Sequence, residues 1–166
     1  MTLRGFDPVA GLQVLVDHAV DFVVIGGVAA RIWGSPTVTR DLDICYARGP
    51  ANLERLAAAL REVQAKLRGV SEEVPFKMDA RALAMGDSFT FKTDVGDLDC
   101  LATPTGTGGY NDLKARAELV DVDGLKVWVT SLADLIEMKR AAGRKKDQIE
   151  LEVLGALRDE RGRRSR

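Results

Sequence analysis

Histidine and cysteine are almost missing from this chain. Among 166 residues there is one histidine, His18, and there are two cysteines, Cys45 and Cys100. That excludes a zinc-type site, which draws three or four ligands from those residue types. Both cysteines stand inside apolar runs, which reads as buried thiols in a reducing cytoplasm and not as a disulfide framework. Aromatic residues make up only 5% of the chain, too few for a platform that stacks single-stranded bases. Long apolar runs are missing too, and none reaches the ~18 residues of a membrane-spanning helix. The opening "MTLRGFDPVAG" has no apolar core of the signal-peptide kind, so a cytoplasmic, membrane-free protein is expected. Charge is balanced, with a formal net charge of -1. Only the last residues, "RDERGRRSR", are strongly basic. There are no repeats and no low-complexity linkers.

What is present is the composition of an ordinary globular domain, 46% hydrophobic and 30% charged. The length suits one domain with a real core. Asp7 and Pro8 mark the start of an amphipathic helix reaching His18. "FVVI", Phe22 to Ile25, is short, β-branched and apolar, as a buried strand is. Gly26-Gly27 ends that strand and opens a short helix, and "SPTVTR" is a loop. "DLDICYA" alternates acid and apolar residues as a second strand. Gly49-Pro50 opens a helix expected to run to Gly69. A short helix or irregular stretch is expected around Asp79 to Ala84. "SFTFKTDVGDLDCLA" reads as a hairpin turning at Asp94-Val95-Gly96. "TPTGTGGY" reads as a loop, and "AELVDVDGLKVWVTS" as a second hairpin. Ser131 caps a helix that Gly143 ends. "RKKDQIELEVLGALRDERG" forms the last helix. The expected fold is α+β, a mixed sheet of about five strands flanked by helices. Residues 1–130 form the core, and 131–166 form a helical segment packed on it with a basic tail.

The chemistry is concentrated on two strands. Side chains at i and i+2 share a strand face, so Asp41 and Asp43 point together while Leu42 and Ile44 pack behind them. Asp97 and Asp99 repeat the pattern before Cys100. Like charges this close repel unless something positive stands between them. An all-carboxylate set suits a hard cation such as Mg²⁺. Two such ions can activate an attacking oxygen and neutralise a phosphate being displaced. The plainer reading of either pair alone is a solvated strand face. Gly26-Gly27, at a strand-to-helix turn, lets backbone N–H groups approach a phosphate, although such a pair is also an ordinary tight turn.

Taken together, "VVIGGVAARIWGSPTVTRDLDI" resembles the signature of the polymerase-β-type nucleotidyltransferase superfamily: an apolar residue, a Gly-Gly pair, a spacer, then Asp-apolar-Asp-apolar. "GDLDCLATP" resembles the strand that carries the superfamily's third acid. "LADLIEMKRAAGRKKDQIELEVL" is similar to the helical end of AbiEii/MenT-like toxins. The resemblance implies a polymerase-β-like fold with two C-terminal helices. It also implies transfer of a nucleoside monophosphate from an NTP to a hydroxyl, with release of pyrophosphate. By the family's pattern Asp41, Asp43 and Asp99 would hold the Mg²⁺ ions, two in number. Asp99 is preferred to Asp97 as third acid because it sits deeper in the apolar run. Gly26, Gly27 and Ser35 would face the triphosphate. Arg40 and Lys139 are its candidate cations, and Asp147 of "KKD" would orient a lysine or the nucleotide. The bland alternatives are an ion pair for Arg40, dipole compensation for Lys139 and a helix start for Asp147.

The resemblance implies as acceptor either tRNA, in a toxin–antitoxin setting with a cognate antitoxin protein as partner, or a small antibiotic-like alcohol. The basic tail could track an RNA backbone. A catalytically idle nucleotide-binding module is the reading from a different class.

Overall fold

The computed structural model describes residues 5–70 and 75–165. Fifteen short elements build one seven-stranded sheet and the helices around it. The first helix, α1 (Pro8–Asp17), starts where Asp7 accepts a hydrogen bond from the Ala10 N–H. It leads through β1 (Phe22–Ile25) into α2 (Gly26–Ile32), then β2 (Asp41–Tyr46) and α3 (Pro50–Glu62). A two-residue strand, β3 (Lys66–Leu67), precedes α4 (Ala80–Ala84) and the hairpin β4 (Ser88–Thr93) and β5 (Gly96–Leu101). Helix α5 (Tyr110–Arg116), the hairpin β6 (Glu118–Val122) and β7 (Leu125–Val129), then α6 (Leu132–Ala142) follow. A 3₁₀ turn at Lys145–Asp147 leads into α7 (Gln148–Arg164).

The strand order is β3-β4-β5-β2-β1-β7-β6. At the centre, β2 runs parallel to β5 and antiparallel to β1. Strand alternation sorts the residues into two faces. Leu42, Ile44 and Tyr46 of β2 and Leu98 and Cys100 of β5 join the main core with Leu12, Leu56 and Leu60. Val23, Ile25 and Cys45 turn to the other face, against Leu113 of α5. The acids of β2 and β5 share that second face. Cys45 and Cys100 are both buried and unpaired.

The sheet has seven strands, not about five. Part of the difference lies in α3, which stops at Glu62 and not at Gly69. Gln64 takes a left-handed φ of 54°, the Ala65 N–H bonds to the Leu60 carbonyl and the Gln64 N–H to that of Arg61. This is a Schellman ending built on glutamine instead of the usual glycine. The residues freed by it, Lys66 and Leu67, pair with Lys92 and Phe91 and become β3. Helix α5 also stands between the expected loop and the expected second hairpin, where no element was expected. In the C-terminal part, Ser131 accepts from the Asp134 N–H, and Gly143 is left-handed, as the cap residues led one to expect. The basic tail is helical through Arg164. Arg161 pairs with Glu118 and covers the ring of Trp33.

Candidate active site

The parallel pairing of β2 with β5 sets Asp41 opposite Asp97 and Asp43 opposite Asp99. Four carboxylates thus form two adjacent rows on one sheet face. Next in the same row as Asp99 comes Thr90 of β4, and Lys92 stands beside Asp97.

Asp43 is the most enclosed of the four. Its Oδ1 is buried without a hydrogen-bond partner. Burial, then the neighbouring charge of Asp99, pushes its pKa up to about 8. The protonated carboxyl therefore donates a hydrogen bond to Asp99. Burial also raises Asp99, while the guanidinium of Arg68 pulls it back. Asp99 is the less exposed of the β5 acids, with a side chain 19% accessible against 35% for Asp97.

Arg68 answers the question of charge. It follows β3, its N–H bonds to the Thr90 carbonyl, and its side chain reaches back across β4. Nη1 lies 3.0 Å from Asp97 and 3.8 Å from Asp41, and Nη2 lies 3.0 Å from Asp99. The sequence reading missed this residue. Nothing in "AKLRG" marks it, and only the addition of β3 to the sheet brings it to the acids.

Asp43 and Asp99 open into a cleft of about 340 Å³. Ile25 and Gly26 line one side, and Leu135, Met138 and Lys139 of α6 line the other. Arg144 and Thr105 lie at its edge, neither of them anticipated. Lys139 stands 3.6 Å from Asp147, whose carboxylate also accepts from Arg144 at 2.7 Å. Burial opposes ionisation of Asp147. The Arg144 hydrogen bond and the Lys139 charge outweigh it and hold the pKa below the usual carboxylate value. Asp147 therefore holds two cations beside the cleft, fixing Lys139 and Arg144 in place.

The glycine pair has two different tasks. Gly26 has φ +67°, and a Cβ there would stand 2.8 Å from Cγ of Asp43. Gly27 abuts Thr39, whose Oγ1 would be 2.5 Å from a Cβ. Among the described residues no side chain caps the start of α2 with a hydrogen bond.

Two expected phosphate contacts stand elsewhere. Ser35 is 5% exposed and donates to both carboxylate oxygens of Glu150 at 3.1 Å. Thr37 also donates to Glu150. Ser35 thus ties the loop after α2 to α7 and is not one of the described residues lining the cleft. Arg40 is exposed next to Asp41, also outside that lining.

The donor set matches a hard divalent cation in chemistry: carboxylates only, with a buried oxygen of Asp43 lacking a partner. With the side chains as they stand, no group of three or more His, Cys, Asp or Glu among the described residues is gathered to hold a metal. Three of the four acids are turned to Arg68.

No protein-family model and no curated protein sequence matches the chain. Solved structures do. A candidate nucleotidyltransferase from Thermotoga maritima superposes with a TM-score of 0.54 at 20% identity, over 91% of this chain and 89% of that one. The fold is that of nucleotidyltransferases. The lincosamide antibiotic adenylyltransferase LnuA, solved with lincomycin bound, gives 0.57 at 16% identity, covering 88% and 92% of the two chains. The antibiotic-resistance factor ANT(2'')-Ia gives 0.50 at 14% identity over 95% and 93%. At such identities the nucleotidyltransferase fold is what the likeness shows. The α+β fold with a mixed sheet expected from the sequence agrees with it.

Proposed function

We propose that this chain is a Mg²⁺-dependent nucleotidyltransferase that moves a nucleoside monophosphate from an NTP to a hydroxyl acceptor. The observation that carries the reading is the register of β2 and β5, which sets Asp43 beside Asp99 at the mouth of a cleft walled by Lys139.

In this reading Asp41, Asp43 and Asp99 hold the metal. Bound Mg²⁺ supplies charge neutralisation at the transferred phosphoryl group and a lowered pKa for the attacking hydroxyl. The chain's own residues do the rest. Lys139, fixed by Asp147, and Arg144 pair with the triphosphate oxygens. The uncapped first turn of α2 faces the phosphates, with Gly26 keeping side-chain atoms out of the way of Asp43. Asp99 accepts the proton of the acceptor hydroxyl. The acceptor oxygen then bonds to the α-phosphorus, the bond from that phosphorus to the bridging oxygen breaks, and pyrophosphate leaves. The apolar wall of Ile25, Leu135 and Met138 excludes water from that exchange. An NTP-consuming reaction supports a cytoplasmic location in this reading, and no described helix is long and apolar enough to cross a membrane.

For the acceptor we favour a small hydroxylated molecule. Two structures of like fold are an antibiotic adenylyltransferase and an antibiotic-resistance factor. Arg161 and Arg164 of the basic tail pair with Glu118 and Glu160 of this chain. The tRNA acceptor and a neutralising antitoxin form the second reading, which rests on the likeness of the C-terminal stretch to AbiEii/MenT-like toxins. The test is incubation with each labelled NTP and Mg²⁺, once with a panel of hydroxylated small molecules and once with total cellular RNA. Label in a small product with release of pyrophosphate supports the first reading. Label in tRNA overturns it in favour of the second. No nucleotide transfer to either overturns both.

A further inference from the structure

Arg68 is the feature that the proposed reaction leaves unexplained. Its guanidinium touches Asp41, Asp97 and Asp99, with closest approaches of 3.8, 3.0 and 3.0 Å. A planar fork with five donors suits several carboxylates at once in a way that a lysine does not. Its anchor is short: β3 is a two-residue edge strand, and Arg68 is held beyond it by one bond to Thr90. The side chain is one-third exposed, so it has a route out to solvent.

Two of these carboxylates, Asp41 and Asp99, are the ones the proposed metal would need. The positive guanidinium beside them opposes a dication at the same face. A bare divalent ion arriving there draws Asp41 and Asp99 away from Arg68 and leaves the guanidinium with Asp97 alone. An ion arriving on a triphosphate brings new partners for it, because phosphate oxygens take the same bidentate pairing.

We propose that Arg68 is an exchangeable counter-ion: it holds the carboxylate face in the nucleotide-free protein, passes to the triphosphate on loading, and thereby couples metal binding to nucleotide binding. This rests on the nucleotidyltransferase reading. The consequence is thermodynamic. The metal alone binds weakly, the nucleotide alone binds weakly, and each improves the other by the same factor. Arg68 is then a positioning residue, acting on the metal through the acids it occupies.

The experiment measures Mn²⁺ binding by electron paramagnetic resonance, with and without a non-hydrolysable NTP, in the wild type, Arg68→Met and Arg68→Lys. Arg68→Met is expected to bind Mn²⁺ alone at least about fivefold more tightly than the wild type, and to lose most of the nucleotide's effect on that affinity. Arg68→Lys keeps a positive charge on the face and so preserves the fold if Arg68→Met does not. It is expected to lie between the other two. Variants that bind Mn²⁺ alone no more tightly than the wild type overturn the exchange. If nucleotide still improves Mn²⁺ binding in all three proteins, the nucleotidyltransferase reading survives that result. If no protein binds Mn²⁺ even with nucleotide, both fail.

Discussion

Gly26 and Asp43 share one space: the carboxylate of Asp43 occupies the volume that a side chain on residue 26 would fill. The glycine of the strand-to-helix turn and the second acid of the Asp-Leu-Asp run, seventeen positions apart, are therefore a single packing unit. Ile25 pairs with Asp43 across β1 and β2, which brings the turn and the acid together.

Gly26→Ala should fail on two counts. The left-handed φ of +67° costs a residue with a Cβ about 1–2 kcal/mol. The overlap then drives Asp43 from its place beside Asp99. Urea denaturation should show the stability loss, and pyrophosphate release should fall by more than the folded fraction does. A fully active Gly26→Ala protein would mean that Asp43 need not stand where it does.

The pH dependence of metal-free stability follows from Asp43. Its folded pKa, about 8, is above the usual value of 3.8. The folded state therefore holds a proton that the unfolded chain releases. The associated stability is fully present below about pH 4 and is lost as pH rises toward about 8. Thermal melts in chelator should show the wild type losing stability across that window relative to Asp43→Asn, which has no proton to lose. Parallel pH profiles for the two proteins would contradict the burial of this carboxyl.

Lys139→Met removes a cation that lines the cleft and is anchored on Asp147. A charge-assisted hydrogen bond contributes about 1.5–3 kcal/mol, so KM for the NTP should rise tenfold or more. Stability should fall less, because Arg144 still pairs with Asp147. Steady-state kinetics beside a thermal melt separates the two effects.

Ser35→Ala should behave in the opposite way. It strips Glu150, itself buried, of a donor. An underbonded buried acceptor costs about 1–3 kcal/mol, so the melting temperature should drop while KM for the NTP stays unchanged. A raised KM would restore Ser35 to the phosphate site that its sequence position suggested.

The sequence carried what is local. The apolar run of β1, the alternation of β2 and the caps Asp7, Ser131 and Gly143 each lie within a few residues of what they determine, and the structure has them where they were expected. The same locality explains what was missed. Gln64 ends α3 without the glycine that would announce it, and β3 is only two residues long, defined by its partner β4 and not by its own pattern. Helix α5 is masked by the glycines that precede it, its N-cap being Gly109. Asp97 and Asp99 looked alike apart from depth in the run, and both pair with Arg68; the cleft separates them, because of the two only Asp99 is among the described residues lining it with Asp43. Arg68 was illegible because a long side chain reaches the acids from two strands away, a contact that no spacing rule encodes.

The most direct test is a crystal structure of the protein soaked with Mn²⁺ and a non-hydrolysable NTP, with the metal located by its anomalous signal. The account predicts a peak bonded to carboxylate oxygens of Asp41, Asp43 and Asp99, with the triphosphate lying between it and Lys139. A nucleotide bound away from that sheet face, or a metal bonded to none of the three acids, would contradict it.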